Sequence, residues 1–193
     1  MKKIKKVTVD SKELEYKIDI ATQTLERNIG FVANCDNKTS IVLASIGALL
    51  AIILTNDGLS TIFNIIQNCV SVRSFGNVLY LICLFSSTLV TLFGMYKLGG
   101  VLVAKVSEEA PGRKNGNSRI FFSGIRKCGD CKTYSRKFYS MSRKDLLKDL
   151  VEQIYINADI ASIKYAKYNV GLKCTISGFV SFVLILLIGI YLY

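Results

Sequence analysis

"SFGNVLYLICLFSSTLVTLFGMY", residues 74–96, carries no charge over twenty-three positions and lies between Arg73 and Lys97. A hydrocarbon core about 30 Å thick is crossed by roughly 20 apolar helical residues. This run therefore predicts a membrane-spanning helix, and its reading decides the fold. Two further runs qualify. "TSIVLASIGALLAIILTN" gives eighteen uncharged residues between Lys38 and Asp57, at the short end, with Asp36 and Lys38 expected at the interface. "CTISGFVSFVLILLIGIYLY" gives twenty from Cys174 to Tyr193.

Loop charges orient the three spans. Residues 1–38 hold eight Lys or Arg, residues 57–73 hold only Arg73, and residues 97–173 hold sixteen. The positive-inside rule then places the N-terminus and the long connection in the cytoplasm, and the 57–73 loop and C-terminus outside. The start, "MKKIKK", is basic without a following apolar core, so no cleavable signal is expected.

The net charge of +11 coexists with a 51% hydrophobic composition over 193 residues, the balance of a small membrane protein with basic flanks. The chain has no His, which excludes His-based acid–base catalysis, His-activated nucleophiles and His metal ligands. None of the spans has an internal charge, which argues against a proton relay or a voltage sensor. Small residues recur as Ala44, Ala48 and Ala51, as Ser87, Thr91 and Gly94, and as Ser177, Ser181 and Gly189. Close helix packing is the simpler reading of such spacing, and a pore-lining stripe in an oligomer is the functional one.

Leu14, Ile18, Ala21, Leu25, Ile29 and Val32 recur at three and four, predicting an amphipathic helix over 9–36 that leads into the first span. Leu147, Val151, Ile154, Ala158, Ala161 and Tyr165 do the same over 142–168, with a capping-box-like Ser142 and Asp145 at the start and a bend expected at Asn169 and Gly171. Two such stripes on one side of the membrane would bury each other in a cytoplasmic bundle. "SEEAPGRKNGNS", with the single Pro, reads as a loop.

Residues 113–144 hold ten Lys or Arg against one acid, Asp130. Phe121, Phe122, Tyr134, Phe138 and Tyr139 are interleaved with them. Cations pair with phosphate and planar rings stack on bases, so the segment is a candidate nucleotide or oligonucleotide site. Contact with anionic lipid heads and burial of the rings in the bundle are the alternatives. The candidate ligand-binding residues are Arg119, Phe121, Phe122, Arg126, Lys127, Lys132, Tyr134, Arg136, Lys137, Phe138 and Arg143. Cys128 and Cys131 make a C-x-x-C without a second pair. A turn with two free thiols is the simplest reading, since zinc needs two more ligands and a thioredoxin-like motif needs a βαβ context. Cys83 and Cys174 fall in apolar runs, and Cys69 stands alone in its loop.

The pattern resembles the Pycsar-type transmembrane effectors. "DNKTSIVLASIGALLAIIL" looks like their first span, "RIFFSGI" like their Phe-rich element, and "DLLKDLVEQIYINADIASIKYAKYNVGLKC" like their closing helix. The resemblance implies an anti-phage effector that damages the inner membrane when a partner nucleotidyltransferase or cyclase makes a nucleotide signal. Many members carry a separate cyclic-nucleotide-binding domain for which this chain has no length. The same module is similar to the effector of Hailong-type defence, whose signal is a short single-stranded DNA oligomer. Asp36, Lys38, Phe121, Phe122 and Gln153 carry over as conserved architecture.

The expected fold is all-α, with three transmembrane helices, a cytoplasmic helical bundle and a basic aromatic-rich segment. Its parts are 1–38 (cytoplasmic amphipathic helix), 39–105 (two spans with a short outward loop), 106–144 (basic ligand-binding segment) and 145–193 (amphipathic helix and third span). The expected function is a non-enzymatic, nucleotide-controlled effector of the bacterial inner membrane, using neither metal nor cofactor. A homo-oligomer, with a tetramer favoured, would form or gate a pore, because three helices are too few to enclose a water path. A holin-like or structural membrane protein bound to anionic lipid is the alternative, and an enzyme using Cys128 and Cys131 the third.

Overall fold

The computed structural model describes residues 2–72, 74–103 and 118–192, with side chains from residue 10 onward. These residues form six helices and no strand: α1 (Lys2–Ile53), α2 (Asn56–Ser71), α3 (Phe75–Leu102), α4 (Phe122–Arg126), α5 (Cys131–Tyr139) and α6 (Arg143–Leu192). Parts of α1, α3 and α6 are long and apolar enough to cross a membrane, so the all-α, three-span fold expected from the sequence is the one observed. The loop expected over 107–118 lies outside the described residues except for Ser118, as do Arg113 and Lys114.

The described residues fall into two compact units. One is drawn from Met1–Asn34 and Lys105–Ile163, the other from Cys35–Ala104 and Lys164–Tyr193. The helices α1 and α6 contribute to both.

In the first unit, α1 turns Leu14, Ile18, Ala21, Leu25 and Val32 inward, while Ile29 stays 51% exposed. Its neighbour Asn28 is half-buried instead and donates from Nδ2 to the Ile154 carbonyl of α6 at 3.2 Å. Of the apolar stripe expected on α6, Ala161 is buried and Leu147, Ile154 and Tyr165 are half-buried, while Val151 and Ala158 are exposed; Asp149, Leu150, Gln153, Ile156 and Ile160 are buried beside it. Asp149 Oδ2 accepts the Arg119 backbone N–H at 2.7 Å, which gives this buried carboxylate a partner. The start of α6 is a reciprocal capping box. Asp145 Oδ2 accepts from Ser142 N at 3.1 Å, and Ser142 Oγ accepts from Asp145 N at 3.2 Å. Beyond the cap α6 is helical without a break across Asn169 and Gly171.

The second unit is held by a close antiparallel pair, α3 on α6. Ser87, Thr91, Gly94, Leu98 and Val101 are buried along one face of α3. A Cβ on Gly178 would lie 2.6 Å from Thr91 N, and one on Gly171 would lie 2.9 Å from Leu98 Cγ. A Cβ on Gly94 would collide with Thr175, whose Oγ1 is itself buried without a partner among the described residues. Glycine at these three positions lets the two backbones meet, as small-residue interfaces in lipid require. The Tyr80 hydroxyl closes the far end by donating to the Ile185 carbonyl at 3.1 Å. The second of the three small-residue stripes is thus packing. Ala44, Ala48 and Ala51 are exposed, and Gly189 alone of the third stripe is buried, beneath Tyr80. Gly178→Leu should therefore separate α3 from α6 and abolish recovery of folded protein in mild detergent, whereas Val180→Leu, on the exposed side, should not. Size-exclusion profiles read both.

The loop expected over 57–73 is instead largely helix, since Asn56–Ser71 is helical. Its N-cap Thr55 accepts from Gly58 N at 3.4 Å, and Ile65 and Cys69 are buried rather than standing in a loop.

Candidate functional site

The basic segment is built outward from Ser118. Its buried Oγ accepts from Ile120 N at 3.3 Å and Phe121 N at 3.0 Å, forming a tight turn. Gly124 of α4 rests on the Ser118 carbonyl with no room for a side chain. After α4 the chain reverses at Gly129, whose φ of +80° favours glycine. Asp130 then caps α5, accepting from Thr133 N and Thr133 Oγ1, each at 2.8 Å.

Two of the eleven candidate residues hold this scaffold together. The Tyr134 hydroxyl donates to the Arg119 carbonyl at 3.0 Å, and Arg119 Nη1 donates to the Lys137 carbonyl at 3.4 Å. With the Asp149 bond, α5 is tied through Arg119 to α6. Arg143 stands 3.8 Å from Glu15 of α1, an exposed pair. Phe121 is half-buried and packs against Phe122 with ring centroids 4.6 Å apart and the planes tilted by 47°.

The rest form the open face. Arg126, Lys127, Lys132, Arg136 and Lys137 are all exposed. Phe122 is 60% exposed, Phe138 44% and Tyr139 86%, so three rings stand out of the protein rather than in its core. Phe138 lies 5.9 Å from Tyr134 and 6.1 Å from Tyr139, centroid to centroid, giving α5 a run of rings beside its cations. Lys137 Nζ also donates to Cys128 Sγ at 3.7 Å. Cys128 and Cys131 are free thiols flanking the Gly129 turn, and no group of three or more metal-ligating residues occurs among the described residues.

Hydrogen bonds from Thr133 hold the Asp130 carboxyl below its ordinary value, and those from Ser142 do the same for Asp145. A carboxylate favoured by the fold stabilises it above the ordinary Asp value of about 3.9, and the contribution is lost as pH falls through the depressed value. The helix starts of α5 and α6 should therefore be intact at neutral pH and fray only as pH falls below the ordinary Asp range, and Asp130→Ala should fray α5 at every pH. Amide hydrogen exchange over 131–135 distinguishes the two.

The position that sequence reasoning missed is Lys164. Its side chain is 6% exposed, and its Nζ reaches both carboxylate oxygens of Asp36, at 2.6 and 2.8 Å. Thr39 and Cys35 beside it on α1 are fully buried. Lys164 follows Ile160 and Ala161 at the spacing of the buried face, and that was the available signal. Lys38 is exposed. Gln153 is 2% exposed, and neither amide atom meets a partner among the described residues.

The Pycsar effector protein domain matches residues 20–191. The chain belongs to the Pycsar effector family. It is thereby a membrane effector of anti-phage defence, as the resemblance implied. The Pycsar effector protein GmPycTM of Gulbenkiania mobilis is 27% identical over 188 residues, covering 90% of this chain and 92% of that protein. No solved structure matches. The match runs through the buried pair, the Phe-rich element and the whole of α2, and so takes in residues of both units described above.

Proposed function

We propose that this Pycsar effector is a nucleotide-controlled membrane protein, not an enzyme, that responds to a signal made by a partner nucleotidyltransferase or cyclase. The α4–α5 face binds the signal, and the spans of several copies, four being the favoured number, form or gate a pore in the bacterial inner membrane. The observation that carries this reading is the coincidence on one tied scaffold of exposed cations and exposed rings, with Phe122, Phe138 and Tyr139 turned outward. Phosphates pair with the cations, and bases stack on the rings. A helix of nine residues, α5, with three cations, and Arg126 of α4 and Lys127 beside it, suits a short single-stranded oligonucleotide better than a cyclic mononucleotide.

The test is mass spectrometry of small molecules released from the purified full-length chain expressed beside its partner enzyme. A cyclic nucleotide or short oligonucleotide at near-stoichiometric level is expected. Phospholipid alone in the released fraction would overturn the reading. The cytoplasmic placement of the N-terminus and of α4–α5 is tested by a reporter fused after Tyr193, which should be active only outside the cytoplasm.

A further inference from the structure

The first apolar run is the shortest of the three, and its helix stops short. The helix α1 ends at Ile53, Leu54 and Thr55 break it, and α2 begins at Asn56. The depth of that break is read from its neighbours. Ile53 and Asp57 line one groove together with Val183 and Leu186 of α6. The uncharged run of α6 lies between Lys173 and Leu192, so Val183 is about ten residues, on the order of 15 Å, from either end. The same groove also takes in Leu187 and Ile190, so the break lies between the middle and the C-terminal end of a run long enough to span the bilayer. From there α2 climbs: Ile65 Cδ1 lies 3.2 Å from where a Gly189 Cβ would stand, close to the end of α6.

The α2 sequence divides into three faces at about 100° per residue. Gly58, Thr61, Ile62, Ile65 and Cys69 turn into the unit and are buried or half-buried. Leu59, Phe63 and Val70 make a second face, exposed and apolar, that suits lipid. Asn56, Ser60, Asn64, Gln67 and Ser71 make a third within an arc of roughly 80°, all exposed. Asp57 stands at the edge of that arc. Side-chain amides facing hydrocarbon lack partners, and broken helices at membrane depth occur where they line a water-filled space. An acid at such a depth marks an ion path.

We propose that the Asn56, Ser60, Asn64, Gln67 and Ser71 face of α2 lines the conduction path, closed by the same face of further copies of this chain, with Asp57 favouring inorganic cations. The first span is then a broken one, completed by α2. This rests on the pore reading above.

The test uses the full chain in planar bilayers, with the more accessible Cys83, Cys128, Cys131 and Cys174 changed to Ser and the buried Cys35 and Cys69 kept. Single cysteines are placed at Ser60, Asn64 and Gln67, and for comparison at Phe63 and Val70. A membrane-impermeant, positively charged thiol reagent should block current at the first three and leave it unchanged at the last two. In the otherwise natural chain, Asp57→Asn should lower the cation-to-anion permeability ratio severalfold, and Asn64→Asp should raise it. Current that is unchanged by labelling at Ser60, Asn64 and Gln67, with unaltered selectivity in both charge variants, overturns the assignment of α2 while leaving the pore. The same result is expected if α2 lies flat among the lipid headgroups. A natural chain that passes no current with its signal bound overturns the pore reading itself.

Discussion

Asp36→Asn should destabilise the membrane unit by on the order of 3 kcal/mol, because it strands the Lys164 ammonium in a site with 6% exposure. Removing one member of a buried ion pair is costly because the remaining charge keeps its desolvation penalty and loses its partner. The cost falls at the lower end of the usual range because Asp36 keeps 34% of its side-chain surface, so water already screens part of the interaction. The asymmetry of the pair makes a sharper test than either substitution alone. Lys164→Met leaves behind a carboxylate that solvent can reach, so it should cost less than Asp36→Asn. The double variant removes both charges and should recover most of the loss, a coupling that a double-mutant cycle reads directly. Thermal unfolding in detergent supplies the four values. Additive losses would mean that the two groups act independently despite the 2.6 Å contact.

Asp36 and Lys164 stand among the first residues of their helices to belong to the membrane unit. The pair fixes the register of α1 on α6 at one end, as the Tyr80 bond to Ile185 fixes α3 on α6 at the other. Between them the glycine contacts of α3 and α6 supply close approach without directional bonds. An apolar interface slides easily, so the polar contacts at its ends determine which register is occupied.

Much of this was legible in the sequence. Long uncharged runs reveal α3 and the second half of α6 because nothing but lipid or a dry core tolerates them. The capping box of α6 was legible because its two residues lie three apart and need no distant partner. The helix α2 was not legible as a helix, since its apolar residues cover only part of its circumference and Asn, Ser and Gly punctuate it like a loop. Lys164, Asp149 and Gln153 were missed as buried residues because lysine, aspartate and glutamine are ordinarily outside, and only their distant neighbours reveal otherwise. In the basic segment the charges were visible, but their roles were not. Arg119 and Tyr134 look like Arg126 and Phe138 in composition, and only the bonds to Lys137 O, Asp149 and Arg119 O show that they are scaffold.

That division decides how the proposed ligand site should respond to mutation. Changing Arg126, Lys127, Arg136 and Lys137 to Gln keeps the Arg119 and Tyr134 ties, so the segment should fold and the spans insert. If all four neutralise phosphates of a single strand, log affinity in the natural chain should fall against log salt with a slope of about −2.8. The same rule makes the four-Gln variant weaker by roughly a hundredfold at 0.15 M salt and nearly insensitive to salt. Phe138→Leu should behave differently. It removes a stacking ring worth about 1–3 kcal/mol but releases no counterions, so affinity falls while the slope stays. Tyr134→Phe is the control for the scaffold: it keeps the ring and loses only the bond to Arg119 O. Fluorescence anisotropy with a short labelled DNA oligomer, repeated across a salt series, separates the three. A purely lipid-facing segment would show no saturable oligonucleotide binding and would hold anionic vesicles with or without the oligomer as competitor. Unchanged oligomer affinity in the four-Gln variant would move the binding site off α4–α5 altogether, and the exposed rings would then be interfacial anchors beside a basic flank.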